Sequence, residues 1–256
     1  MSVTVPAPVN AGRNTAARGA ARAALVDVLW DRDGRRRLPA ARELVAAIEA
    51  CDVRDLWWVC EANSAGPLYL LPTREWLGHL CDLLDELKAV RVLEVAAGDG
   101  FLSACLQRRR PDLEVIATDD FSWTRPQKRM SANDRKEFGN TRFAGIQPLP
   151  NVAKSGAESA VREHQPDVVI VAWAPPGTLV ERVIRSPASK LVLDLSVGGD
   201  VCGLGVKTWR FEKEFLEGPL ESQALCRLDA RPRTQRHTLA TLYYGRGHDL
   251  FAITPR

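Results

Sequence analysis

Residues 90–119 contain an apolar strand, a glycine turn, a helix and a second apolar strand, an order that few folds accommodate. The first strand carries Glu94 near its end, the turn holds Gly98 and Gly100, and the second strand runs into Asp119. Glycine has no Cβ, so such a turn lets the backbone approach a ligand closely. This order predicts the first half of a nucleoside-binding α/β domain.

Apolar periodicity in the rest of the chain predicts helices alternating with strands. Leucines and a tryptophan recur at helical spacing over 73–88, with Thr73 as the N-cap residue. The further predicted helices cover 15–30, 39–50, 101–109, 157–164 and 179–185, and the predicted strands cover 90–95, 113–118, 166–172 and 190–195. Segments 222–228 and 238–244 are predicted to form an antiparallel C-terminal hairpin. The alternation indicates an α/β fold, a Rossmann-like doubly wound, mostly parallel sheet.

The chain divides into three parts by composition. Residues 1–13 are predicted to be a disordered tail, 14–72 an N-terminal helical cap, and 73–256 the α/β domain. Residues 1–23 contain Arg, Ala, Ser, Thr and Pro but no acid. We interpret this stretch as a frayed end rather than an organelle targeting segment, which it resembles only in composition.

Composition also restricts the partners. The net charge of +3, from 35 basic and 32 acidic residues, is too balanced to indicate a nucleic-acid partner. The Arg35–Arg37 run is interpreted as a solvated turn. The six cysteines form no CxxC pair and no cluster with histidine, so we expect a cytoplasmic protein without a metal. No apolar run approaches 18 residues, so no membrane partner is expected, whereas a homodimer stays open.

Glu94-x-x-x-Gly98-x-Gly100 with Asp119 after the next strand resembles the first two motifs of the class I S-adenosylmethionine-dependent methyltransferases. The resemblance covers about residues 70–200 and implies an enzyme that uses S-adenosyl-L-methionine, bound by the domain 73–256. In that family the first acid and the glycine turn lie beside the methionine part, and the second acid accepts hydrogen bonds from the ribose.

A dinucleotide-binding domain is the competing interpretation. Its fingerprint places a third glycine where this chain has Ser103, and Asp99 would lie inside the phosphate cradle. A carboxylate beside a pyrophosphate is repelled, by about 1 kcal/mol at 4 Å even in water. The positive sulfonium suits the acidic turn better, so we favour the methyltransferase.

The resemblance implies a set of cofactor-binding residues at the strand ends and at the start of one helix. The set is Glu94, Ala96, Gly98, Asp99, Gly100, Asp119, Asp120, Phe121, Gly156, Ala157, Ala172 and Trp173. Many relatives have an acid where this chain has Gly156. The backbone N–H of Ala157 is then the expected partner of the adenine.

The candidate residues for the acceptor side lie in loops. His237 and Asp200 are candidate general bases, needed only where the acceptor must lose a proton before attack. Trp58, Trp123 and Pro175 are candidate substrate contacts, because aromatic loops around a cleft suit a flat or cationic organic molecule.

These features favour methylation of a small organic acceptor at oxygen or nitrogen, as in specialised metabolism. N-methylating relatives often carry a polar residue, Pro-Pro and an aromatic residue after the fourth strand, where this chain has Ala174 and Gly177 around its Pro-Pro pair. Two alternatives remain. The basic segment 125–142 allows an RNA or protein methyltransferase, and Gly156 with the altered Pro-Pro loop allows a non-catalytic protein of the same fold.

Overall fold

The structure is a computed structural model of the chain. It describes residues 14–52, 55–56, 59, 68, 70–122, 146–174, 177–197, 208–216 and 238–248.

Three helices precede the first strand, and from residue 91 onward the described residues contain seven strands and three further helices. The helices are α1 (Asn14–Leu29), α2 (Ala41–Ala50), α3 (Arg74–Glu86), α4 (Phe101–Arg109), α5 (Ala157–His164) and α6 (Leu179–Ile184). The strands are β1 (Arg91–Val95), β2 (Glu114–Asp119), β3 (Val152–Lys154), β4 (Val168–Ala172), β5 (Leu191–Val197), β6 (Lys213–Leu216) and β7 (Thr238–Tyr244). No helix within these ranges combines the length and the apolar character that a membrane span requires.

The strands form one sheet in the order β3-β2-β1-β4-β5-β7-β6. Among these strands β7 runs in the direction opposite to the other six, since it pairs antiparallel with both β5 and β6. The prediction of a Rossmann-like, mostly parallel sheet with an antiparallel end is therefore confirmed. On the side of β7 away from β5, the strand that pairs with it is Lys213–Leu216, which the sequence did not predict. The predicted first arm of the hairpin, 222–228, lies outside the described residues.

Helices cover both faces of this sheet. On one face, α3 and α4 pack against Ile170 and Leu193, which are almost fully buried. On the other face, α5 and α6 pack against Val95 and Val171. Alternate strand residues enter opposite cores, as a pleated strand requires. As predicted, the Thr73 hydroxyl caps α3 by accepting the N–H of Trp76.

A third apolar core belongs to the N-terminal segment. Leu25 of α1 and Leu44 of α2 are fully buried there. Arg22 and Asp55 join two parts of the segment by an ion pair of 3.0 Å. This core is separate from the two that flank the sheet, which agrees with a helical cap, although the predicted boundaries at 13 and 72 stay a prediction.

Gly100 marks the closest approach of the glycine turn to β3. Its φ is +74°, and a Cβ at this position would lie 2.3 Å from Cγ2 of Val152. Both the backbone conformation and the space therefore require glycine.

We expect Gly100→Ala to lower the free energy of unfolding by about 1–3 kcal/mol, from left-handed strain and from the contact with Val152. The matched control is Gly78→Ala in the interior of α3, where nothing lies within 4 Å of an added Cβ. It should raise stability by up to about 1 kcal/mol, because alanine favours helix. Urea denaturation of both variants measures the two shifts, and equal effects would contradict the packing role of Gly100.

Candidate functional site

The C-terminal ends of three neighbouring parallel strands meet at one edge of the sheet. Val95 of β1 pairs with Thr118 of β2 and with Val171 of β4. In open α/β sheets, ligands bind in the crevice at this edge. The edge between β2, β1 and β4 is therefore the candidate functional site.

Each of these strands is followed by a non-glycine residue in the left-handed backbone region. They are Ala96, Phe121 and Trp173, with φ of 52°, 54° and 56°. Non-glycine residues rarely adopt this conformation, and each costs on the order of 1–3 kcal/mol. Strained backbone conformations are found most often at active sites and ligand-binding regions. All three belong to the predicted cofactor-binding set.

Asp119 holds the glycine turn in place. Its Oδ2 accepts the N–H of Gly98 at 2.9 Å, and its Oδ1 accepts the N–H of Phe121 at 2.7 Å. The Asp119 residue is 4% exposed. An ionised carboxylate accepts hydrogen bonds and donates none, so its chemistry suits hydroxyl donors. Asp120 follows as an exposed residue whose Oδ1 accepts the N–H of Ser122.

Glu94 anchors the other side of the turn. Its Oε2 accepts both the N–H and the hydroxyl of Ser103, at 3.1 and 2.5 Å. Burial raises the pKa of the Glu94 carboxyl to about 7, although the bonds from Ser103 oppose the shift. Ser103 stands where a dinucleotide fingerprint has its third glycine, and here it ties α4 to β1.

Asp99 is neutralised by a residue that sequence reasoning missed. Its Oδ2 lies 2.6 Å from Nη1 of Arg36, and its Oδ1 accepts the N–H of Phe101 at 3.0 Å. The interpretation of Arg35–Arg37 as a solvated turn fails for Arg36, whose side chain is 15% exposed, against 79% for Arg35. A run of three arginines contains no local signal that the middle one is buried.

The remaining predicted residues divide into two groups. Gly156 and Ala157 begin α5 beyond the end of β3, and Ala172 ends β4 next to Trp173, whose N–H donates to the carbonyl of Leu195. The others stay predictions, since they lie outside the described residues. They are His237, Asp200, Trp58, Trp123 and Pro175.

Asp194 is a buried acid that sequence reasoning missed. It lies on β5 with its Oδ2 3.4 Å from the hydroxyl of Ser196, and within the described ranges its buried Oδ1 has no hydrogen-bond partner. Burial raises the pKa of this carboxyl to about 7. On the same face, the Tyr243 hydroxyl bonds that of Thr208 at 3.1 Å. The signal was a single charge within an apolar strand.

The described residues contain no cluster of three histidine, cysteine, aspartate or glutamate side chains suited to a metal ion. The residues that could hold an organic cofactor are those around Asp119 and the glycine turn.

Comparison with known proteins gives a relative of defined activity. No family model matches the chain. The chain is 30% identical over 183 residues to the release factor glutamine methyltransferase of Deinococcus radiodurans, which covers 64% of this chain and 62% of that relative. The chain thus spans under two thirds of the relative's length.

Solved structures with similar folds are more distant. The methyltransferase domain of bacterial CtHen1 is 13% identical, with a TM-score of 0.39 over 67% of this chain and 98% of the other. The CurJ carbon methyltransferase is 14% identical, with a TM-score of 0.38 over 89% of this chain and 68% of the other.

The sheet order, the motif geometry and the curated relative agree. The resemblance to the class I S-adenosylmethionine-dependent methyltransferases, predicted from Glu94, the glycine turn and Asp119, is confirmed.

Asp194 provides a test of the buried acids through pH. Its pKa lies above the ordinary value of 3.8 in the folded protein, so the folded protein binds more protons than the unfolded chain between pH 4 and 7. Its contribution to stability is therefore lost as the pH rises through that window. We expect Asp194→Asn to raise the free energy of unfolding at pH 8 by about 1–3 kcal/mol, with the gain shrinking as the pH falls from 7 to 4.

Urea denaturation at several pH values measures this difference. Glu163→Gln, an exposed residue of α5, is the control and should show no comparable gain at pH 8. Asp194→Asn with lower stability than the wild type at pH 8 would contradict the cost assigned to the buried carboxylate.

Proposed function

We propose that this protein is an S-adenosylmethionine-dependent methyltransferase that methylates a small organic acceptor at oxygen or nitrogen, in the cytoplasm. The observation that carries the proposal is the buried Asp119 carboxylate, which accepts the N–H of Gly98 and so holds the glycine turn at a strained strand edge. The curated methyltransferase relative supports the reaction class.

The residues at the edge fit the proposed cofactor part by part. Asp119 suits the two ribose hydroxyls, and the turn around Gly98 suits the amino-acid part. The N–H of Ala157, at the start of α5, suits the adenine. S-adenosylmethionine would supply an electrophilic methyl group on a positively charged sulfur.

In this reaction the protein acts mainly by positioning the methyl donor and the acceptor. Orienting a nucleophile in line with an electrophile can supply roughly 7–11 kcal/mol of the barrier in favourable cases. The left-handed conformations of Ala96, Phe121 and Trp173 fix the backbone around that space. His237 and Asp200 remain the candidate bases where the acceptor must lose a proton.

Two observations support a small organic acceptor. The aromatic residues Phe121 and Trp173 lie within two residues of the ends of β2 and β4, and aromatic rings suit a flat molecule. The balanced net charge of +3 offers little attraction to a polyanion. Trp58, Trp123 and Pro175 are the proposed further contacts with the acceptor.

A protein acceptor is the second candidate, favoured by the glutamine methyltransferase relative. Ala174 weighs against methylation of an amide nitrogen. It is 1% exposed and has no polar side-chain atom, whereas N-methylating relatives often carry a polar residue before the Pro-Pro pair. An amide acceptor would have to find its hydrogen bonds elsewhere.

Cofactor binding tests the first part of the proposal. S-adenosylhomocysteine should bind the wild type in a calorimeter. Asp119→Asn should weaken binding by about tenfold or more, because a carboxylate makes hydrogen bonds worth about 1.5–3 kcal/mol. The control is Asp112→Asn. Asp112 is exposed and precedes the start of β2, at the other end of that strand from Asp119, so this variant should bind like the wild type. No heat of binding at millimolar ligand would overturn the proposal.

Labelled methyl transfer tests the acceptor class. Wild-type protein, S-adenosylmethionine with an isotopic methyl group and cell extract are incubated and then separated by ultrafiltration. We expect the label in low-mass compounds other than S-adenosylmethionine itself, because the aromatic residues at the edge and the balanced net charge suit a small organic acceptor. Label confined to protein would favour the second candidate, and label in RNA would contradict both. Protein with Asp119→Asn should give little label in any fraction.

A further inference from the structure

Arg36 reaches from the N-terminal segment into the glycine turn. Its Nη1 contacts Asp99 at 2.6 Å, and its Nη2 donates to the carbonyl of Leu70 at 3.1 Å. The guanidinium carbon lies 4.0 Å from the centroid of the Phe101 ring, at the start of α4. Three separate contacts therefore hold one cation beside the turn.

One edge of this guanidinium has no acceptor. The Nε of Arg36 is buried and has no hydrogen-bond partner in the described part of the chain. A guanidinium carries five N–H donors, and a buried donor without an acceptor costs free energy. Such an atom calls for an explanation. An acceptor brought by a ligand would satisfy it, and the planar guanidinium fork matches a carboxylate best.

Arg36 and Asp99 together present opposite charges at one place. An amino acid in its zwitterionic form carries an ammonium and a carboxylate on the same carbon. The pair is complementary to that arrangement, since Asp99 can accept from the ammonium while Arg36 donates to the carboxylate. The Asp99 side chain is 26% exposed, so a ligand can reach it.

We propose that Arg36 binds the α-carboxylate of the amino-acid part of the methyl donor, with Asp99 beside the α-ammonium. This inference rests on the proposed function and assigns the site a residue that lies outside the glycine motif. The N-terminal segment then forms part of the donor site, and the site favours donors that keep the whole amino acid.

Two ligands that differ in one group test this assignment. S-adenosylhomocysteine carries the carboxylate, and S-adenosyl-3-thiopropylamine is the same molecule without it. The wild type should bind the first more tightly by about tenfold to a hundredfold, the range for charge-assisted hydrogen bonds. Arg36→Met should abolish most of that preference and leave the affinity for S-adenosyl-3-thiopropylamine nearly unchanged. Arg35→Met, the exposed neighbour in the same run, should keep the preference.

Asp99→Asn separates ligand binding from a purely structural role of the ion pair. It removes the partner of Arg36 but keeps the guanidinium, so the preference for the carboxylate should survive while both affinities fall together. If Arg36 only fixes the turn, Arg36→Met will weaken both ligands equally, as Asp99→Asn does. That result would overturn the inference. Thermal unfolding of each variant checks that the fold is retained.

The outcomes distinguish the two proposals. Wild-type protein that binds both ligands with equal affinity retains the proposed function and overturns the role of Arg36. Wild-type protein that binds neither ligand overturns the proposed function and this inference with it.

Discussion

The hydrogen bond from the Gly98 N–H to the buried Asp119 carboxylate fixes the geometry on which the site depends. It joins the turn after β1 to the end of β2. A carboxylate can be buried only where donors surround it, so the position of the turn and the burial of Asp119 require each other. Glu94 fastens the far side of the turn through Ser103. The contacts that stabilise this turn also preorganise it for a ligand.

The two edges of the sheet differ in how completely their groups are satisfied. At the N-terminal edge, Asp167 accepts the N–H groups of Val90 and Arg91 and pairs with Lys190. At the C-terminal edge lie three residues with left-handed backbone conformations. Asp194 lies near this edge, paired with Val171, and its Oδ1 has no hydrogen-bond partner among the described residues. Proteins depart from local preferences chiefly at functional sites. This asymmetry locates the site without reference to any motif.

Local signals were sufficient for the longer elements. Helices 101–109 and 157–164 have the bounds that the sequence predicts, and the Thr73 cap forms as expected. Strands β3 and β6 were missed because they have only three and four residues, too few to show a period. They form strands because they pair with β2 and β7 in the sheet. A single sequence does not record those neighbours.

Candidate site residues follow the same division. Asp119 and the glycine turn are local in sequence and could be predicted from their spacing. The Arg36–Asp99 pair joins residues 63 positions apart, and only the folded chain brings them together. The cysteines and histidines, which usually attract attention in a sequence, gave no comparable information here.

The glycine motif is therefore stronger evidence for the fold than for a bound ligand. Gly100 is required by the approach of Val152, and Glu94 is bonded to Ser103, so both residues have structural reasons to match the motif. A protein that kept the fold and lost the ligand would keep them as well. Arg36 contacts Asp99 and Leu70 through its two Nη atoms, whereas its Nε lacks such a structural reason. The buried Nε of Arg36 gives the fold no hydrogen bond within the described residues, so a ligand explains it better than packing does.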